Sequence, residues 1–130
     1  LLDTSGLLCL HHRAERGHSE ARRLFDAAWL KVTHSYILAE FVALATARGL
    51  PRGPALAFVN DLQDSTEVAM VWVDEALHRR AVRLLDQRLD KGWSLCDAVS
   101  FRVMEERSLT EALTTDHNFE QAGFVRLLKP

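Results

Sequence analysis

The stretch Val68–Leu85, VAMVWVDEALHRRAVRLL, decides the class of fold. Its first six residues, Val68 to Val73, are apolar, the composition of a strand covered on both faces. Asp74 then supplies a helix N-cap. Beyond it Leu77, Ala81, Leu84 and Leu85 recur at helical spacing, while Arg79, Arg80 and Arg83 lie on the other side. A buried strand feeding an amphipathic helix is part of a parallel βαβ unit.

The same alternation continues in both directions. Upstream, Leu30 to Thr33 is a brief strand. Ile37, Leu38, Phe41, Leu44 and Ala45 follow as a helical stripe that Gly49 and Pro51 terminate, and a further helix covers Pro54 to Leu62. Before these, Ser19 offers an N-cap to a helix with Leu24, Phe25 and Ala28 on its apolar side. Downstream, Ser94-Leu95-Cys96-Asp97 has capping-box spacing. Glu111 to Thr115 is a short strand ended by Asp116, and Gly123 separates a helical turn from a last strand, Phe124 to Leu128. At the start, Leu1-Leu2 leads into Asp3-Thr4-Ser5-Gly6, the end of a strand turning into a helix. The chain opens without a Met, so this first strand is expected to be truncated at the N-terminus. The pattern predicts one domain over residues 1–130, a three-layer α/β/α sandwich around a central parallel sheet. In such sheets ligands bind at the carboxyl ends of the strands.

Composition narrows the classes of function. With 48% apolar and 26% charged residues, the chain is an ordinary globular protein, which excludes disorder and fibrous repeats. No apolar run approaches the roughly 18–20 residues of a membrane span, and the N-terminus has no signal-peptide pattern. Two cysteines, Cys9 and Cys96, are too few for a disulfide framework, so a reducing, cytoplasmic compartment fits. A formal net charge of −2 excludes a strongly basic mode of nucleic-acid binding.

Four acids stand in surroundings too apolar for solvated charges. Asp3 and Asp116 each follow an apolar strand, and both would emerge at the carboxyl edge of a parallel sheet. Glu40 lies about 40° around its helix from Leu44, which places it bordering the core instead of facing water. Asp97 occupies the first turn of a helix beside Leu95, Ala98, Val99 and Phe101. Singly, each has a structural explanation: Asp3 and Asp116 could cap the following turns, and Asp97 completes a capping box with Ser94. Jointly the physics differs. Like charges about 4 Å apart repel by about 4 kcal/mol per pair at an effective dielectric of 20, so converging carboxylates hold either protons or a cation. An all-oxygen set suits Mg²⁺ or Mn²⁺, the ions of metal-assisted phosphodiester hydrolysis.

These residues carry a family resemblance. Leu1-Leu2-Asp3-Thr4-Ser5-Gly6-Leu7-Leu8 resembles the opening motif of PIN-domain ribonucleases. Ser35 to Glu40 is similar to the second motif, Trp93 to Phe101 to the third, and Leu113 to Phe119 with Ala122-Gly123-Phe124 to the fourth. The motifs come in family order and span nearly the whole chain. The resemblance implies Asp3, Glu40, Asp97 and Asp116 as catalytic and metal ligands for one or two Mg²⁺ or Mn²⁺ ions, with Ser5 in support. It implies endonucleolytic cleavage of RNA, in structured loops such as those of tRNA, leaving a 5′-phosphate. Among single-domain PIN proteins of this length, the chain most resembles VapC-type toxins of toxin–antitoxin pairs. That implies a VapB-like antitoxin partner and a homodimer.

Arginines are the expected RNA contacts: Arg13, Arg16, Arg48 and Arg52 in the first half, with Arg79, Arg80 and Arg83 as a second group. Either set could instead be a solvated face or meet an acidic antitoxin tail. The adjacent His11 and His12 point about 100° apart on a helix and suit no shared metal. His18, His34 and His78 show no partner pattern, while His117 could touch a phosphate. Trp29 and Trp72 read as core, and Cys96 as packing, since no base is placed for it. A non-catalytic RNA- or protein-binding module is the alternative function. An aspartyl-phosphate enzyme fits poorly, because Ser5 stands where such chemistry places a second acid.

Overall fold

The computed structural model describes residues 1–129, and the expected parallel α/β architecture is present. Its elements in chain order are α1 (Thr4–His11), α2 (His18–Ala27), β1 (Lys31–His34), α3 (Ser35–Ala47), α4 (Arg52–Asp64), β2 (Val68–Val71), α5 (Glu75–Gln87), α6 (Leu95–Glu106), β3 (Glu111–Ala112), α7 (Asn118–Gln121) and β4 (Val125–Arg126). β1 pairs in parallel with β2, and β3 with β4. The two pairs are joined by the first three residues. Leu2 N–H donates to Val32 O at 2.8 Å on one side, and on the other Leu113 N–H donates to Leu1 O at 2.8 Å, with a parallel bridge between Leu2 and Leu113. The sheet therefore runs β2, β1, N-terminal segment, β3, β4, and the end of the segment carries Asp3.

Position in the sheet explains burial. β1, flanked on both sides, is buried throughout. Its Lys31 is accommodated by donating from Nζ to Ala28 O at 2.7 Å and lying over the Phe25 ring. Among the described residues β2 pairs only with β1, and within β2 only Val68 is buried. The doubly covered strand expected at Val68 to Val73 is thus an edge strand, and Trp72, just past its end, is 63% exposed instead of core. Trp29, in the connection between α2 and β1, is likewise corrected: it is 97% exposed. The core centres on Phe41, Phe101 and Phe119, with Phe101 edge-on to both Trp93 and Phe119.

Capping follows the sequence where a side chain is free to cap. Asp74 Oδ1 accepts from Leu77 N–H at 2.8 Å, and Ser94 with Asp97 forms the full capping box. Ser19 is the exception. α2 begins two residues earlier with Gly17 as N-cap, and the His18 ring bonds Cys9 O at 2.7 Å, which ties the helix start to α1. β3 and β4 are shorter than the strands expected at Glu111 to Thr115 and Phe124 to Leu128. Pairing nevertheless continues past them, with Leu127 N–H on Ala112 O and Leu128 N–H on Thr114 O. α1 meets this sheet at very close range. A Cβ on Gly6 would lie 2.0 Å from Leu113 O, so only glycine lets the first helical turn rest on the strand.

Candidate active site

Asp3 has the backbone of an N-cap, φ −90° and ψ 166°, but its carboxylate caps nothing. It accepts instead from Thr114 Oγ1 at 2.7 Å, in a position where the residue is only 5% exposed. Burial pushes its pKa up to about 7; the nearby Asp97 and Glu40 charges add to the rise, and the Thr114 bond opposes it. Thr114 is the hub of a small network. Its hydroxyl proton goes to Asp3, so its oxygen accepts from Asp116 N–H at 3.0 Å and from the Ser5 hydroxyl at 3.1 Å. Ser5 Oγ in turn accepts from Thr115 N–H at 2.9 Å. The hydroxyl protons of Ser5 and Thr114 are thus assigned without conflict. Ser5 therefore acts on Asp3 through Thr114.

Asp97 is buried in the first turn of α6. Its Oδ2 accepts from Ser94 N–H at 3.0 Å and from Asn118 Nδ2 at 3.2 Å. Burial raises its pKa, with the Asp116 charge contributing. Asp116 is half-buried after β3, and its Oδ1 accepts from Asn118 N–H at 2.8 Å. Asn118 thus holds one acid with its backbone and the other with its side chain. Glu40 is corrected in one respect. It is exposed on α3 rather than bordering the core, although its charge still acts on Asp3 and on Cys96. The Cys96 thiol sits among these acids, and its pKa is driven up by burial and then by Glu40, Asp3 and Asp97. A thiol held protonated in this way is packing and no nucleophile.

The structure thus brings the four acids to one edge of the sheet. Asp3 interacts with Glu40 and Asp97, and Asp97 with Asp116. Among the described residues no three His, Cys, Asp or Glu side chains come close enough together to hold a metal ion by themselves. The donor chemistry nonetheless fits a hard divalent cation: hard carboxylate oxygens only, those of Asp3 and Asp97 buried, with the Asp97 charge raising the Asp3 pKa and the Asp116 charge raising that of Asp97. Mg²⁺ retains waters and needs few protein ligands.

Thr114 and Asn118 are the residues that motif reading passed over. A hydroxyl two residues before Asp116 and an Asx-turn acceptor two residues before Asn118 were their only signals. The arginines divide. Arg48 Nη1 donates to Glu15 Oε1 at 2.7 Å, linking the α1–α2 loop to the end of α3, and Arg52 donates to Thr46. Arg13 and Arg16 lie exposed in the α1–α2 loop. Arg79 and Arg80 pair with Glu75 and Glu106. His34 and His78, expected without partners, bond Ser100 and Tyr36, and His11 packs on Phe41 and Phe58.

Comparison with known proteins bears on this site as a whole. Residues 1–125 match the PIN domain. A protein of Mycobacterium tuberculosis, the 23S rRNA-specific endonuclease VapC20, is 29% identical over 127 residues, covering 97% of this chain and 95% of that one. The crystal structure of M. tuberculosis VapC20, described as a sarcin–ricin loop cleaving toxin, superposes with a TM-score of 0.88. That superposition covers 99% of this chain and 98% of that chain at 28% identity. Because the matched region contains every acid from Asp3 to Asp116 and the sheet edge that presents them, this chain belongs to the PIN-domain family.

Proposed function

We propose that this chain is a Mg²⁺- or Mn²⁺-dependent endoribonuclease and the toxin of a toxin–antitoxin pair. The observation that carries the reading is the buried Asp3 carboxylate, held by Thr114 beside Asp97 and Glu40 at the carboxyl edge of the sheet. Asp3 and Asp97, with Glu40 and Asp116, would hold one or two ions. The chemistry such an ion would supply there is an activated water and neutralisation of charge on the phosphate.

The chain's own residues supply order. Thr114 and Ser5 fix the Asp3 carboxylate, while Asn118 and Ser94 fix Asp97. The crevice excludes bulk water from Asp3, which strengthens each charge interaction there. No histidine or lysine is needed as base. The target favoured by the likeness to VapC20 is a loop of ribosomal RNA, ahead of the tRNA loops expected from family resemblance. A VapB-like antitoxin, a homodimer and a cytoplasmic location complete the reading.

The test is cleavage of a sarcin–ricin stem-loop RNA and, separately, of tRNA, with Mg²⁺ or Mn²⁺ and with EDTA. The expected result is metal-dependent cutting of the ribosomal loop, reduced about 100-fold or more in Asp3→Asn and Asp97→Asn. Undiminished cutting by both variants, or cutting in EDTA, overturns the mechanism. RNA left intact under every condition would favour the binding-module alternative.

A further inference from the structure

Beyond Asp116 the carboxyl edge of the sheet continues into a cleft of about 550 Å³. It lies between the α1–α2 loop and the end of the chain. Cys9 and Leu128 contribute apolar wall, and Thr115, next to Asp116, forms the rim nearest the acids. Because Leu128 N–H bonds Thr114 O at 3.1 Å, Lys129 leaves the sheet beside the turn that carries Asp116. Arg126 is pinned to that same turn. Its Nη1 donates to Thr115 O at 3.1 Å, and its Nε lies 2.6 Å from Glu120 Oε1. Arg16 stands exposed on the opposite wall.

The charges decide what fits. Two acids also line the cleft, but Glu15 is engaged by Arg48 and Glu20 by Arg23. Glu120 offsets Arg126, so the surplus positive charge comes from Arg16 and Lys129. An apolar wall with a cationic rim matches a nucleotide: base against the wall, phosphate at the rim. A polymer cut at the acids must place its next residue somewhere, and this cleft adjoins them through Thr115. An acidic peptide would gain the same cations but brings no planar base to lie along the apolar wall.

We propose that this cleft is a subsite for the nucleotide adjoining the cut, its phosphate held by Arg16 and Lys129 and its base lying along Cys9 and Leu128. The proposal rests on the RNA-cleaving reading. It selects Arg16 from the sequence candidates, removes Arg48, which is engaged with Glu15, and adds Lys129.

Both cations are exposed, so Arg16→Glu and Lys129→Glu leave the core intact. The experiment measures cleavage of the sarcin–ricin stem-loop RNA by wild type and the double variant. It also measures RNA affinity by fluorescence anisotropy against salt concentration in an Asp97→Asn background. The expected result is a KM raised by about 10-fold with kcat changed less than about 2-fold, and a shallower salt dependence, by about 0.7 per cation lost. Unchanged KM and salt slope in a variant that still cleaves overturns the subsite and leaves the nuclease reading standing. A wild-type protein that neither binds nor cuts the RNA overturns both. Retained RNA affinity with loss of a co-expressed antitoxin would make the cleft a protein interface, which also overturns the proposal.

Discussion

At Asp3, burial pushes the carboxyl pKa up to about 7 from an ordinary value of 3.8. Without a cation, the folded protein therefore binds more protons at this residue than the unfolded chain does between about pH 4 and 7. Stability from Asp3 then falls as pH rises through that window. His34 works in the opposite direction. It is fully buried, its Nδ1 accepts from Ile37 N–H and its Nε2 bonds Ser100, and burial lowers its pKa to about 3. The folded state keeps it neutral while the unfolded chain protonates it, so its contribution is complete above about pH 6.5 and is lost as pH falls toward 3. Asp3→Asn removes the first effect and leaves the second. In EDTA the variant should be more stable than wild type at pH 8, by on the order of 2–4 kcal/mol. The gap should close by pH 4, as read from urea unfolding at each pH. Equal stabilities across the range would show that the carboxylate is not desolvated. Asp3 was legible as an acid after an apolar strand, but the sequence left open whether it capped α1. Its real partner, Thr114, lies more than a hundred positions away in the chain, and no local pattern encodes such a contact.

At the scale of elements, strand-then-acid is useful because β3 and the N-terminal segment are neighbours in register. Asp3 N–H bonds Leu113 O at 3.2 Å, and Gly6 closes on the same carbonyl one turn later. Gly6→Ala puts a methyl where that oxygen is, and a backbone oxygen cannot swing aside as a side chain would. α1 must lift from the strand, which takes Ser5 from Thr114 and loosens Asp3. The expected cost is about 2 kcal/mol or more of stability, with a loss of cleavage larger than the loss of folded protein at 25 °C. Circular dichroism and the RNA assay on one sample separate the two effects. Full activity in a stably folded variant would show that the close approach is unimportant to the site. The element pattern itself was readable because periodicities of two and of 3.6 differ over short windows. What periodicity cannot show is which strand lies at the edge. Val68 to Val73 has the composition of a doubly covered strand, yet among the described residues nothing pairs with β2 beyond β1, and Trp72 is left facing solvent. The same limit hid the exposure of Glu40, since α3 is apolar enough on several sides to blur its buried face.

For the whole molecule, the net charge of −2 conceals a separation. Four acids gather at one sheet edge, while Arg16, Arg126 and Lys129 collect one strand away, at the α1–α2 loop and the chain's end. Counting residues could suggest that the acids needed a cation. Only the fold could place the basic residues beside them, because Arg16 and Lys129 are brought together by the sheet. A cation bound at the acids stabilises the folded state alone, by about 2.7 kcal/mol at a hundred times its dissociation constant. Protons compete with it. With the Asp3 pKa at about 7, lowering the pH from 7.5 to 5.5 leaves most of that carboxyl protonated and weakens binding by about 25-fold. The stabilisation at the same metal concentration then falls to about 1 kcal/mol. For a chain of this length, that is a rise in Tm of about 10 °C with Mn²⁺ at pH 7.5, against about 4 °C at pH 5.5. Asp97→Asn should reduce both, and thermal unfolding with and without Mn²⁺ reads all four values. Equal rises at the two pH values, or rises that survive Asp97→Asn, would place the ion away from these carboxylates.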